Sequence, residues 1–140
     1  MNRTLSIFLY FDGNCREATE FYARTFQAEV RDLMTYGEMP PDPDMPVAQA
    51  DKDRIMYAGL PYGDIVLMFC DMPSESDFVV GNNFNPTLGT GCKDDFLRIF
   101  NALKEGGEVY MEPGKTFFSD FYGMVKDKYG VIWQLFLNAA

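Results

Sequence analysis

Apolar and polar residues alternate along several short stretches of this chain, while two longer stretches carry apolar residues at helical spacing. Residues 15–27 predict a helix whose apolar stripe consists of Ala18, Phe21, Tyr22 and Phe26. Residues 92–105 predict a second helix, whose stripe consists of Phe96, Ile99, Phe100 and Leu103. Asn14 is predicted to cap the first helix, with Glu17 completing a capping box.

Alternation predicts eight strands around these helices, over 5–11, 28–36, 54–60, 64–70, 84–90, 108–112, 121–127 and 131–137. The third and fourth strands are predicted to form a hairpin across 61–63. Four prolines within 37–51 exclude regular structure from that loop. The chain therefore predicts an α+β fold in one domain, made of two βαβββ modules, about 1–72 and about 80–140.

The two modules also repeat in sequence. Residues 62–69 read YGDIVLMF and residues 129–136 read YGVIWQLF, which places Leu67 opposite Gln134. The shift between matching segments falls from 77 residues at the helices to 67 at the later strands. The proline-rich loop accounts for this change as an insertion of about ten residues in the first module.

Composition and charge narrow the possible partners. The net charge of −9 opposes binding to nucleic acids and to anionic membranes. The N-terminal apolar run alternates with polar residues, so it is interpreted as the first strand and not as a signal peptide. Three cysteines cannot all pair within one chain, which indicates reduced thiols and a cytoplasmic location.

Four segments carry a family resemblance: FDGNCREATEFY, GNNF, RIFNALKEGGEV and KTFFSDFYGMVKDKYGVIWQL. Together with the two modules, they resemble the PhnB-like branch of the vicinal oxygen chelate superfamily, which includes glyoxalase I, bleomycin-resistance proteins and extradiol dioxygenases. The resemblance implies two curved sheets that form a cup, helices on the convex faces, and a homodimer. In metal-using relatives, the first and last strands of each module supply the ligands.

By this resemblance Gln134 falls at the final ligand position, so its amide is expected to point into the cup, beside Ile132 and Phe136. A solvent-exposed or backbone-paired glutamine is the alternative. The matching position in module one is Leu67, and the first-strand positions are Ser6 and either Asn83 or Asn85.

An apolar lining completes the predicted ligand site. Phe8 and Tyr10 share a strand face with Ser6. Lys115 is the basic group expected near the rim, with Phe117 and Phe118 beside it. The candidate ligand-binding set is Ser6, Phe8, Tyr10, Leu67, Asn85, Lys115, Phe117 and Gln134. These aromatic side chains can alternatively fill the space between the sheets.

The sequence predicts neither a metal nor another cofactor. It contains no histidine, and serine, leucine, asparagine and glutamine supply too little charge to hold a transition metal. Asp42 and Asp44 flank a proline without ordered calcium-ligand spacing. Cys15 and Cys92 lie near helix starts, which favours thiolates, but no histidine is present to act as their base.

Three functional hypotheses remain. The first is metal-free binding of a small apolar or weakly anionic molecule in the cup. The second is a metal-independent glyoxalase-like lyase or isomerase that uses Gln134, Tyr10 and Lys115. The third is a dimeric scaffold with a filled cavity. The glycines at 89–91 and 105–107 lack the spacing of a nucleotide loop, which argues against a methyltransferase.

Overall fold

The computed structural model describes residues 3–139. It divides into two compact units, Met1–Phe78 and Val79–Ala140, called module one and module two below. Each contains one helix and a four-stranded mixed sheet, so the predicted repeat of two βαβββ modules is confirmed.

Module one has the order β1, α1, β2, β3 and β4, with bounds Ile7–Phe11, Cys15–Phe26, Arg31–Thr35, Ile55–Tyr62 and Ile65–Asp71. Its sheet runs β1-β4-β3-β2, and only the β1–β4 pair is parallel. The segment between β2 and β3 contains two short 3₁₀ turns, Tyr36–Glu38 and Gln49–Asp51. The prolines lie between those turns, in irregular backbone.

Module two repeats this topology. Its elements β5, α2, β6, β7 and β8 have the bounds Thr87–Thr90, Lys93–Lys104, Glu108–Gly114, Tyr122–Lys126 and Ile132–Leu137. The sheet runs β5-β8-β7-β6, again with one parallel pair, β5–β8. The two helices begin and end within one residue of their predicted limits.

The helices pack through the predicted stripes. All eight stripe residues are buried. In module one the ring of Tyr22 stacks on that of Phe69 in β4, with centroids 5.6 Å apart and planes 8° apart. This stack identifies the face of the first sheet that packs against α1. In module two a methyl group added at Gly123 would lie 2.8 Å from the Phe100 ring, so this glycine lets α2 approach β7 closely.

Two local predictions were wrong. The side chain of Asn14 makes no capping hydrogen bond. Instead, Asp71 Oδ1 accepts from the backbone N–H groups of Gly13 (2.7 Å) and Cys15 (3.0 Å), because the parallel β1–β4 pair ends beside the helix start. The hairpin turn also lies later than 61–63: β3 continues through Tyr62, and Gly63 turns the chain with φ of +59°.

Candidate functional site

Gln134 lies on the face of the module two sheet that is opposite α2, called the far face of module two. Met124 pairs with Gln134 and Tyr122 pairs with Phe136, so these four side chains alternate with those that contact the helix. Trp133 and Leu135, their neighbours on β8, are buried on the α2 side with Gly123.

Gln134 has a specific partner on this face. The Tyr122 hydroxyl donates a hydrogen bond to Gln134 Oε1. Tyr122 is only 7% exposed, and burial raises the pKa of its phenol above the ordinary value of 10.0. The phenol is therefore protonated at neutral pH and available as a donor. Among residues 3–139, the bond from Tyr122 is the hydrogen bond found for the Gln134 side chain.

A cavity of about 540 Å³ opens beside this pair. Its lining combines two residues of the predicted site with eight others: Lys115, Thr116, Phe117, Phe118, Ser119, Asp120, Tyr122, Phe136, Leu137 and Ala139. Tyr122 connects the two features, because its ring lines the cavity while its hydroxyl bonds to Gln134. The cavity thus has aromatic walls, one lysine and one exposed aspartate.

The loop between β6 and β7 shapes one wall of this cavity. Backbone N–H of Thr116 donates to Ser119 O (3.0 Å), and Thr116 Oγ1 accepts from the Ser119 N–H (3.0 Å). This turn presents Phe117 fully to solvent and sets Phe118 edge-on to Tyr122, with ring centroids 4.9 Å apart. An aromatic side chain held exposed by a closed turn is available for contact with another molecule.

Asn85 lies two residues before β5, the strand that pairs with β8 at Gln134. Thr87 pairs with Gln134, and the Gln134 N–H donates to Pro86 O at 3.0 Å, so the chain at 85–87 runs alongside β8. Asn85 Nδ2 is buried and has no hydrogen-bond partner among the described residues. Asn83, the alternative first-strand residue, is exposed in the preceding loop.

In module one, Phe8 and Tyr10 lie on the sheet face opposite α1, with ring centroids 5.1 Å apart. Tyr57 joins them, 6.2 Å from Phe8. A side-chain hydrogen bond also joins Tyr10 to the thiol of Cys70. Burial raises the pKa of this thiol to about 11. Ser6 is exposed and precedes β1.

The prediction for Leu67 was wrong. Leu67 is 2% exposed, and it lies two residues before Phe69, which stacks on α1. Strand alternation therefore turns Leu67 toward the helix, whereas Gln134 points away from its helix. In the structure, the similar segments 62–69 and 129–136 are offset from each other by one residue. Residues that match in sequence therefore point to opposite faces of their sheets.

Sequence reasoning missed Tyr122 and Tyr57. Each pairs across the sheet with a neighbouring strand and shares a face with predicted residues. For Tyr122 a signal was present, because it lies within the most specific segment of the family resemblance. Alternation along β7 would have placed it beside the final strand.

Module one contains cavities of its own, formed by the proline-rich loop. The larger measures about 430 Å³ and the smaller about 210 Å³. Met39 and Met45 line both cavities.

The described residues do not fit a divalent metal. Within residues 3–139, no group of three or more His, Cys, Asp or Glu side chains comes together as a metal site. The amide of Gln134 is engaged by Tyr122.

The sequence and the fold of this chain match those of known proteins. The sequence profile of the Glyoxalase/Bleomycin resistance protein/Dioxygenase superfamily matches residues 4–135. The chain belongs to this superfamily. Protein YjdN of Escherichia coli K12 is 31% identical over 145 residues, which cover 94% of this chain and 92% of YjdN.

Solved structures place this superfamily member near PhnB-like proteins. Protein PA1353 from Pseudomonas aeruginosa superposes with a TM-score of 0.87 at 31% identity, covering 98% of each chain. A Bacillus cereus PhnB protein, described as a putative 3-demethylubiquinone-9 3-methyltransferase, superposes with a TM-score of 0.78 at 26% identity, covering 97% of this chain and 100% of its own. The chain is a PhnB- and YjdN-like member of the glyoxalase superfamily. None of the helices in the described residues has the length and apolarity needed to cross a membrane.

Proposed function

We propose that this protein binds a small, mostly apolar molecule on the far face of module two, without a metal. The observation that carries this proposal is the cavity of about 540 Å³ that is lined by the aromatic loop and by Tyr122, the hydrogen-bond partner of Gln134. Ligand sites of this size combine apolar walls with a few polar groups that orient the ligand. Lys115 at the loop also suits a weakly anionic ligand.

The aromatic walls supply most of the binding energy in this proposal. Phe118 is more than half exposed and Phe117 fully so, and a flat ligand would cover both. Burial of apolar surface contributes about 25 cal/mol per Å² before the costs of association. The Tyr122–Gln134 pair then determines the orientation of the ligand more than it adds to the affinity.

Binding of 2-ethylnaphthalene, a flat apolar probe, tests the proposal by equilibrium dialysis. We expect saturable binding that weakens about five-fold in Phe118→Ala, because loss of an aromatic contact costs on the order of 1 kcal/mol. Tyr110→Ala is the matched control, since Tyr110 is an exposed aromatic residue on β6 that does not line the cavity. Equal binding by all three proteins, or no binding, would refute the proposal.

Catalysis is less well supported than binding. At neutral pH the Tyr122 phenol is protonated and the Gln134 amide is neutral, so neither is a general base. The methyltransferase description of the Bacillus cereus protein is not extended to this chain, because Gly89 lies within β5 and Gly106 and Gly107 follow α2. Neither place offers a glycine-rich nucleotide loop.

We also propose a cytoplasmic homodimer. Large apolar side chains are exposed in both modules, among them Phe8 and Tyr10 in one and Val79 and Phe84 in the other, and exposed apolar surface of this kind often marks an interface. Sedimentation should give twice the 16.0 kDa chain mass, and a monomer at micromolar concentration would refute the dimer. Full labelling of the unfolded protein by a thiol reagent, without reductant, would support three reduced cysteines.

A further inference from the structure

We infer that the far face of module two recognises the polar end of its ligand as a hydrogen-bond acceptor oxygen, and that Tyr122 is the positioning residue that sets this polarity. The inference rests on the proposed function, and it specifies which chemical group the site selects. A ligand of this class is a flat aromatic molecule with a carbonyl or carboxylate oxygen at one end.

The Tyr122 hydroxyl has a single proton to donate. That proton is donated to Gln134 Oε1, so the carbonyl end of the amide is turned toward Tyr122. The amide nitrogen Nε2 is then directed away from the phenol with two N–H donors. Because no described residue accepts from Nε2, these donors are available to a ligand.

Asn85 supplies a second donor nearby. It lies two residues before Thr87, the partner of Gln134 in the β5–β8 pair, and adjacent strands are about 4.8 Å apart. Asn85 Nδ2 is buried without an acceptor, and an unpaired buried donor is costly. Asn85 Nδ2 is therefore a buried, unsatisfied N–H donor, and the Gln134 Nε2 that Tyr122 leaves unengaged is a donor as well.

Of the two charged residues that line the cavity, one is a hydrogen-bond donor and the other is an acceptor. Lys115 adds a third donor, and Asp120 adds an acceptor, both exposed on the loop between β6 and β7. Their charges offset each other in solvent, so net charge does not select the ligand. Selection comes from the amide donors, which favour a carbonyl or carboxylate and oppose an ammonium group.

Three naphthalene probes of similar size test the inference by equilibrium dialysis. 2-Acetylnaphthalene has a carbonyl acceptor, 2-ethylnaphthalene has no polar group, and 2-(aminomethyl)naphthalene has a donor-only ammonium group. We expect the wild-type protein to bind the acetyl probe about 3- to 10-fold more tightly than the ethyl probe, which is the range of one net hydrogen bond. The aminomethyl probe should bind most weakly.

Two variants assign this preference to residues. Gln134→Met keeps a side chain of similar length without the donors, so it should abolish the preference for the acetyl probe over the ethyl probe. Tyr122→Phe releases the amide to rotate, so the acetyl preference should shrink and the aminomethyl probe should bind more tightly than to the wild-type protein. Structural damage would not produce that gain.

The outcomes separate the two claims. If the ethyl probe does not bind, or is unaffected by Phe118→Ala, the proposed function fails. If the ethyl probe binds at this site but the acetyl probe has no advantage, the inference about polarity alone is overturned. An acetyl advantage that persists in Gln134→Met would overturn it as well.

Discussion

At the residue scale, two buried aspartates stabilise turns of this protein by accepting hydrogen bonds. Asp127 is 2% exposed and accepts hydrogen bonds from the backbone N–H of Tyr129 (2.9 Å), from that of Val131 (3.1 Å) and from Trp133 Nε1 (2.9 Å). Asp71 plays the corresponding part in module one, where it bonds the start of α1 and the Ile55 N–H. A buried carboxylate with three donors is well compensated.

Asp127→Asn is predicted to lower the free energy of unfolding by about 1–3 kcal/mol, because an amide group would then face the Trp133 N–H as donor against donor. Trp133 is the only tryptophan in the sequence, so its fluorescence reports directly on this contact during urea unfolding. Asp44→Asn, at an exposed aspartate in the proline-rich loop, is the control. Equal stability of the two variants would contradict the assigned role of Asp127.

The three cysteines should differ in reactivity. Cys15 and Cys70 are buried and Cys92 is exposed. Burial raises the pKa of Cys15 to about 12 and that of Cys70 to about 11. At pH 8 we therefore expect one fast-reacting thiol with a disulfide reagent, absent in Cys92→Ser. Two fast thiols in the folded protein would contradict the burial of Cys15 and Cys70.

The same shifts predict a loss of stability at alkaline pH. Below pH 9 the folded and unfolded states both hold the Cys15 proton. As pH rises from 9 to about 12, the unfolded state releases it first, so the free energy of unfolding falls by up to about 1.4 kcal/mol per pH unit for each such thiol. Denaturant titrations across this range should show a shallower fall in Cys15→Ala. An unchanged slope would contradict the prediction.

At the scale of elements, the helices and the number of strands follow from sequence, whereas register does not. Helical stripes repeat over several turns, so one misread position does not move the helix. Strand register depends on where a hairpin turns. The β3–β4 loop has two residues and the β7–β8 loop has five. The segments 62–69 and 129–136, which share four of eight residues, therefore place matching side chains on opposite faces of their sheets.

Leu67 and Met68 test this register directly. Leu67→Ala should lower the free energy of unfolding by about 2–5 kcal/mol, since it leaves a cavity against α1. Met68→Ala should cost about 1 kcal/mol, because Met68 is part-exposed on the opposite face. Urea unfolding of both variants measures the difference. A larger loss for Met68→Ala would show that Leu67 faces away from the helix after all.

The candidate site was predictable only in part, because it also depends on contacts between strands. Gln134 and Lys115 follow from the family resemblance, and the structure brings Lys115 and Phe117 to one cavity. The hydrogen bond from Tyr122 and the unpaired Asn85 nitrogen depend on side-chain contacts across strands, which no local pattern encodes. Both were therefore outside the reach of sequence reasoning.

At the scale of the whole molecule, both modules form cavities at equivalent connections, those between the second and third strands of each module. Module two forms one at the β6–β7 loop, beside Tyr122, and further cavities at the start of α2 and around the β7–β8 loop. Module one forms its cavities at the β2–β3 connection, which the proline-rich insertion lengthens. The central claim is that a ligand binds at the β6–β7 loop.

Chemical-shift mapping with 2-acetylnaphthalene tests that claim most directly. The sequence contains three glutamines, and Gln134→Met assigns the side-chain amide signal of Gln134 in a ¹H–¹⁵N spectrum. The account predicts that this signal and the backbone amides of 116–119 shift together on titration. Shifts at Gly37 and Lys52, with the Gln134 signal unmoved, would place the probe in the proline-loop cavity and contradict the account.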